Sequence, residues 1–173
     1  MKRCETLLSL GSNQGDRLDW LKQAGLALLA LPDTRCVAFS PVYETAPVGV
    51  PETYASQPFL NCVAILETDL DPRAFSIAIH AIEDRLGRVR GDTFGLPRTI
   101  DIDILTFGDL QSAAPELLLP HPRACVRRFV LQPLADLRPG FVFPGTSRTV
   151  TDLLNALPPG PHVRRYDGSS SSV

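Results

Sequence analysis

Lysine is almost absent from this chain: Lys2 and Lys22 stand beside fifteen arginines. The net charge of −2 supplies no field to draw a nucleic acid or an anionic membrane, so neither is expected as a partner. No stretch of about 18 apolar residues is present to span a bilayer. The opening Met-Lys-Arg-Cys-Glu leads into a strand, with no signal-peptide core. The four cysteines, Cys4, Cys36, Cys62 and Cys125, include no pair at zinc-site spacing. They lie among apolar residues and read as buried reduced thiols, so the expected compartment is the cytoplasm. No internal repeat is visible, and no obligate protein partner is implied. What remains is an ordinary globular balance, 44% hydrophobic and 21% charged over 173 residues, enough for one domain with its own core.

Strands are expected at residues 5–10, 36–40 and 59–67, with an extended piece at 42–45. Asp16 caps a first helix whose stripe is Leu18, Leu21, Gly25 and Leu28, closed by Pro32-Asp33. Asp71-Pro72 opens a second, with Phe75, Ile79, Ile82 and Leu86 as its stripe and Gly87 as its C-cap. Residues 46–58, with Pro47, Gly49, Pro51 and Pro58, read as a long mobile loop of the kind that serves as a lid. Residues 127–137 look helical although Pro133 breaks or kinks them, and residues 151–157 form a short last helix. The order β-α-β-β-α-β predicts an α+β, ferredoxin-like fold: an antiparallel sheet with helices on one face and a free face carrying the active site. Residues 1–160 form the single domain, and residues 161–173, rich in Pro, Gly and Ser, a flexible tail.

The most telling stretch is residues 97–107, Pro-Arg-Thr-Ile-Asp-Ile-Asp-Ile-Leu-Thr-Phe. Alternation sends Ile100, Ile102 and Ile104 to a core and Asp101 and Asp103 together to the other face, roughly 7 Å apart. Carboxylates so placed can converge on a hard cation, or on two cations about 3.5–4 Å apart. A solvated strand face is the bland alternative. Arg98 lies three residues upstream and Arg88 and Arg90 precede it. Carboxylates that hold a metal and guanidinium groups that neutralise phosphate are the parts that Mg²⁺-nucleotide chemistry uses. Taken alone, those arginines could equally pair with Glu83, Asp84 and Asp92. His121, fixed between Pro120 and Pro122 and followed by Arg123, Arg127 and Arg128, is either structural or a phosphate contact. Asn61, in an apolar strand, must find hydrogen bonds. It is either satisfied by backbone or reads the edge of a heterocycle, with Phe59 and Phe129 available for stacking. Gly11-Ser12-Asn13-Gln14-Gly15 lacks the P-loop lysine and reads as a tight strand-to-helix turn.

Seven blocks carry a resemblance to one family. They are Leu10-Gly11-Ser12-Asn13, Ser40-Pro41-Val42-Tyr43-Glu44-Thr45, Phe59-Leu60-Asn61, Gly87-Arg88-Val89-Arg90, Pro97-Arg98-Thr99-Ile100-Asp101-Ile102-Asp103-Ile104-Leu105, Leu119-Pro120-His121-Pro122-Arg123 and Arg127-Arg128-Phe129-Val130-Leu131 with Pro133-Leu134. In that order, over about residues 5–145, the chain resembles the 6-hydroxymethyl-7,8-dihydropterin pyrophosphokinases of folate biosynthesis. The resemblance implies that ATP donates pyrophosphate to the pterin's hydroxymethyl oxygen and AMP leaves. It implies two Mg²⁺ ions on Asp101 and Asp103, and Arg88 and Arg98 as catalytic groups. Glu83, Arg90, Ile104, His121 and Arg127 would line the ATP site. Phe59 and Phe129 would sandwich the pterin, with Thr45, Val48 and Asn61 reading its edges. Gly91, Leu96, Ala46 and Glu116 depart from the family pattern, so unusual behaviour is expected to originate in residues 91–96 and to leave the metal site unchanged. Two other functions fit the same residues: an Mg²⁺-dependent nucleotidyltransferase, and a ferredoxin-like ligand-binding module without turnover.

Overall fold

The structure is a computed structural model that describes residues 3–89, 96–160 and 162–168. Its centre is two long antiparallel strands, β1 (Cys4–Ser12) and β4 (Phe59–Thr68), paired from Cys4↔Thr68 to Ser12↔Leu60. β5 (Asp101–Phe107) adds to the free side of β1. On the other side of β4, β2 (Thr34–Phe39) pairs with its C-terminal half and β3 (Tyr43–Thr45) with its N-terminal end. A hairpin of β6 (Ser112–Ala114) and β7 (Leu117–Leu119) stands apart. A last short strand, β8 (Val163–Arg165), lies antiparallel on β3.

The first two helices begin where the sequence placed caps. Asp16 accepts the Asp19 N–H to open α1 (Arg17–Leu29), and Asp71 accepts those of Arg73 and Ala74 to open α2 (Pro72–Arg85). Leu21, Ala24 and Leu28 of α1 and Phe75, Ile79 and Ile82 of α2 enter one core with Leu8, Leu10, Leu60, Leu66, Ile100 and Ile102. Gly87, at φ 78°, stops α2 in the left-handed region. α3 (Arg128–Leu137) keeps Pro133 inside one continuous helix, so of the expected break or kink there is no break. α4 (Val150–Ala156) starts from a Thr149–Asp152 capping box.

Three expectations are corrected. Helices cover both faces of the sheet, not one. α3 and α4 bury Val130, Leu131, Leu134 and Val150 against Leu7, Val63, Ile65 and Leu105, which point away from α1 and α2. The second face is therefore free only beyond the N-terminal end of α3. The tail is not wholly flexible: β8 falls inside it, because the open edge of β3 offers backbone partners to any chain that can lie alongside. Residues 46–58 are a long loop, as expected, whose one regular turn is a 3₁₀ turn at Glu52–Tyr54. The cysteines are all free, but only Cys62 is fully buried, its thiol pushed up to about 12 by desolvation. Among the described residues no helix is long and apolar enough to cross a membrane.

Candidate active site

The pairing register builds the site. Asp101 lies opposite Gly11, which lies opposite Asn61; Asp103 lies opposite Ser9. Residues paired across neighbouring strands share a face, so Asp101, Asp103, Gly11, Ser9 and Asn61 floor one surface. It is the surface that α3 and α4 leave open. A cleft of about 680 Å³ opens over it.

At one end the charges are interlocked. Arg88 follows α2 and sets Nη1 2.5 Å from Asp101 Oδ1, while Arg98 Nη1 lies 2.6 Å from Asp101 Oδ2. Arg88 also bonds the Glu83 carboxylate. Glu83 is only 1% exposed and its Oε1 accepts the Ile102 N–H at 2.7 Å. It thus fastens the last turn of α2 to β5 from beneath the cleft. Burial alone would lower the Arg88 pKa, but Asp101 and Glu83 outweigh it and raise it.

Asp103 is more loosely held, with Arg127 Nη1 at 3.4 Å and His121 Nε2 at 3.7 Å from its Oδ2. Burial, and then Asp101, push its carboxyl above the usual range against the pull of His121, Arg127 and Arg88. His121 is fixed by its N–H to Leu105 O and by the Arg123 N–H on Nδ1, which leaves the proton on Nε2, facing Asp103. Burial lowers its pKa; Asp103 opposes that shift, and Arg127 and Arg123 add to it. Arg127 stands at the start of α3 with its guanidinium 5.3 Å from the Phe129 ring centroid.

The other end is apolar with one polar pair. Asn61, 4% exposed, donates from Nδ2 to Thr45 Oγ1 at 2.7 Å. Gly11 makes room for it: a Cβ there would lie 2.6 Å from Asn61 Oδ1. Phe59, Val48 and Phe129 line the same part of the cleft, and the Arg98 guanidinium lies 5.9 Å from the Phe59 centroid.

Of the residues singled out by sequence, Thr45, Val48, Phe59, Asn61, Phe129, Arg88, Arg98, Asp101, Asp103 and Arg127 line this one cleft. Glu83 lies beneath it and His121 behind Asp103. Ile104 turns its side chain to the opposite face, against the α1–α2 core. Arg90, and residues 91–95 of the loop expected to be unusual, lie outside the described residues. Glu116 sits between β6 and β7. Asn13 was read as a turn residue, yet it grips the Arg98 peptide on both sides, accepting its N–H at 2.8 Å and donating to its C=O at 3.2 Å. Arg123 and Ser9 also line the cleft without having been singled out for it. Arg123 stood inside a block noted in the sequence, and Ser9 was legible only through pairing.

No group of three metal-ligating side chains occurs among the described residues. Two carboxylates on one face suit a Mg²⁺ ion, which keeps several waters and takes one or two carboxylates plus substrate phosphates.

Residues 7–139 match the family described as 7,8-dihydro-6-hydroxymethylpterin-pyrophosphokinase (HPPK). The chain is 43% identical over 152 residues to the 2-amino-4-hydroxy-6-hydroxymethyldihydropteridine pyrophosphokinase of Pseudomonas aeruginosa, covering 87% of this chain and 90% of that one. It is 40% identical over 131 residues to the enzyme of the same name from Bacillus subtilis, covering 75% of each. It is 37% identical to the folic acid synthesis protein fol1 of Schizosaccharomyces pombe, covering 87% of this chain but 20% of that one. Among solved structures, a Plasmodium falciparum HPPK-DHPS crystallised with SDX-DHP shares the fold at a TM-score of 0.71 and 17% identity. The match covers 89% of this chain, which spans less than half of the length of that one, 45%.

Proposed function

From its membership of the 7,8-dihydro-6-hydroxymethylpterin-pyrophosphokinase family of folate biosynthesis, to which this chain belongs, we propose that it transfers pyrophosphate from ATP to the hydroxymethyl group of 6-hydroxymethyl-7,8-dihydropterin. The enzyme class is that of its relatives, a diphosphate-transferring pyrophosphokinase. The observation that carries the substrate assignment is the polarity of the cleft. One end gathers Asp101, Asp103, Arg88, Arg98 and Arg127, and the other gathers Phe59, Phe129 and the Asn61–Thr45 pair.

In the proposed reaction the pterin hydroxyl oxygen forms a bond to the β-phosphorus, the bridge oxygen to the α-phosphorus leaves with AMP, and the hydroxyl proton is lost. Such transfers depend on in-line placement and charge neutralisation. Asp101 and Asp103 would hold Mg²⁺, which when bound supplies charge neutralisation to the phosphate oxygens. Arg88 and Arg98 rest on Asp101 in this structure. Their forks match a pyrophosphoryl group equally well, so phosphate binding exchanges one anionic partner for another. Arg127 and Arg123 border the cleft beside Asp103 and supply the positive potential for the rest of the triphosphate. Phe59 and Phe129 offer ring faces to the pterin. Asn61, with Nδ2 committed to Thr45, presents Oδ1 as an acceptor toward its edge.

The test is mass analysis of products from ATP, Mg²⁺ and the pterin. AMP together with a pterin carrying two added phosphoryl groups is expected. Release of free pyrophosphate, with AMP attached to the pterin, would replace this reading with a nucleotidyl transfer.

A further inference from the structure

Glu44 stands outside the cleft, yet both ends of the segment that walls the pterin end are tied to it. Its Oε1 accepts two bonds from Arg164, from Nη2 at 2.6 Å and from Nε at 3.2 Å. Its Oε2 accepts Arg17 Nη2 at 3.0 Å, and Arg17 Nη1 goes on to the Pro58 carbonyl at 2.9 Å. Pro58 precedes Phe59, the far end of the 46–58 segment. At the near end, β8 pairs Val163 with Thr45, and the Ala46 N–H bonds His162 O at 3.2 Å. The same segment contributes Ala46, Val48, Gly49 and Val50 to the cleft.

We infer that Glu44, bridging Arg17 of α1 and Arg164 of β8, is a positioning residue for pterin binding: it holds Thr45 and Phe59 at the spacing that the Asn61–Thr45 pair requires. The inference rests on the reading that places the pterin at that end. Three features argue for more than a surface ion pair. The Glu44 side chain is only 12% exposed, so its loss would take from Arg17 and Arg164 the carboxylate that both of them share. Each of its oxygens serves a different element, and together they span the segment. Its neighbour Thr45 carries the hydroxyl that Asn61 grips at 2.7 Å, a bond that weakens on displacement by a few tenths of an ångström. The sheet order β5-β1-β4-β3-β8 puts two strands, β1 and β4, between this node and the carboxylates of β5. Its influence therefore falls on the pterin and spares the nucleotide.

The experiment is steady-state kinetics of AMP release, with pterin and ATP varied separately, for wild type, Glu44→Gln, Arg164→Ala and Arg164→Lys. Glu44→Gln should raise the KM for pterin about 10- to 100-fold, as a small misplacement of binding groups does, and leave the KM for ATP within about twofold. Arg164→Ala should shift the same parameter in the same direction, and Arg164→Lys should recover most of it. Arg164 is 67% exposed, so its variants fold even if Glu44→Gln does not. A selective rise in the KM for pterin supports the inference. An unchanged value, an equal rise in both KM values, or a lowered Tm with normal KM values in the folded protein overturns it. Wild-type protein that releases no AMP with the pterin present would overturn the functional reading itself, and this inference with it.

Discussion

Gly11→Ala adds one methyl group at a point where the cleft floor has no space. The backbone tolerates the change, because Gly11 sits in β1 between Asn61 and Asp101 and its φ is not positive. The side chains do not: the new Cβ would meet Asn61 Oδ1 at 2.6 Å and Asn61 Cγ at 3.7 Å, with Phe59 Cδ1 at 3.8 Å. The amide must retreat by several tenths of an ångström, yet it is buried and its Nδ2 is committed to Thr45 at 2.7 Å. Overpacking of this kind costs about 1–3 kcal/mol, and losing the Thr45 bond instead costs about 0.5–1.5 kcal/mol. If Asn61 reads the pterin edge, displacement of its Oδ1 costs transition-state binding as well. At about 1.4 kcal/mol per decade, a loss of 1–3 kcal/mol lowers kcat/KM for the pterin roughly 5- to 150-fold. The assay is AMP release at limiting pterin, with Tm measured in parallel. In an Asn61→Ala background the clash disappears, so Gly11→Ala should then add little to either loss. A Gly11→Ala enzyme with wild-type kcat/KM for pterin and wild-type Tm would refute the packing and the role of Asn61 together.

Asp103→Asn should abolish turnover yet leave Tm unchanged or raised. Its carboxylate is half-buried at a cost, the nearest cation among the described residues is 3.4 Å away, and Asp101 still compensates Arg88. Residual activity above about one per cent would refute its role as a metal ligand. Arg98→Ala should lower kcat by roughly 10²–10⁴ with a smaller change in KM, and an effect confined to KM would remove it from the transferring group. Tyr43→Phe should lose about 1.5–3 kcal/mol of stability at neutral pH, because the hydroxyl donates to the charged Asp136 at 2.7 Å. Burial, and then that bond, raise the Tyr43 pKa above its ordinary 10.0. The contribution is therefore complete below pH 10 and declines as pH rises through the raised value. Urea unfolding of both proteins from pH 7 to 11 should show the gap closing, and a gap that widens with pH would contradict the assignment.

What could be read in the sequence was what repeats or caps. The helices α1 and α2 declared themselves through Asp16, Asp71-Pro72 and stripes at helical spacing, and their bounds agree with the structure within a residue or two. β8 could not be read this way: Val163-Arg164-Arg165 has no pattern of its own, and its strand state is decided by the vacant edge of β3. The hairpin β6–β7 was equally silent, being two three-residue strands around Pro115-Glu116. The helices on the second face, by contrast, had left a signal. Residues 62–66, Cys-Val-Ala-Ile-Leu, are apolar without a break, which marks a strand buried on both faces. Asp101 and Asp103 drew attention to the open half of that face, while Leu105, the next residue on their side, already belonged to the covered half.

The boundary between those halves crosses the sheet at one level, and it explains why the cleft holds the residues it does. Following the pairing from strand to strand, one row reads Asp101, Gly11, Asn61; the next reads Asp103, Ser9, Val63; and beyond it lie Leu7 and Ile65, with Leu105 at the β5 irregularity. Polarity falls along these rows as α3 begins to cover them, and the start of α3 sets Arg127 and Phe129 on the border. The face is thus completed by helices on one side of the border, and on the proposed reading by substrate on the other. A carboxylate on this border is half-desolvated yet reachable, which is the condition that strengthens its hold on a cation or a guanidinium. The same logic converts one strand's alternation into a whole site. Once Asp101 and Asp103 fix a face, the register of β1 and β4 alone nominates Gly11, Ser9 and Asn61. Asn13, just past the end of β1, then follows as the group placed to hold Arg98, as its two bonds to that peptide show.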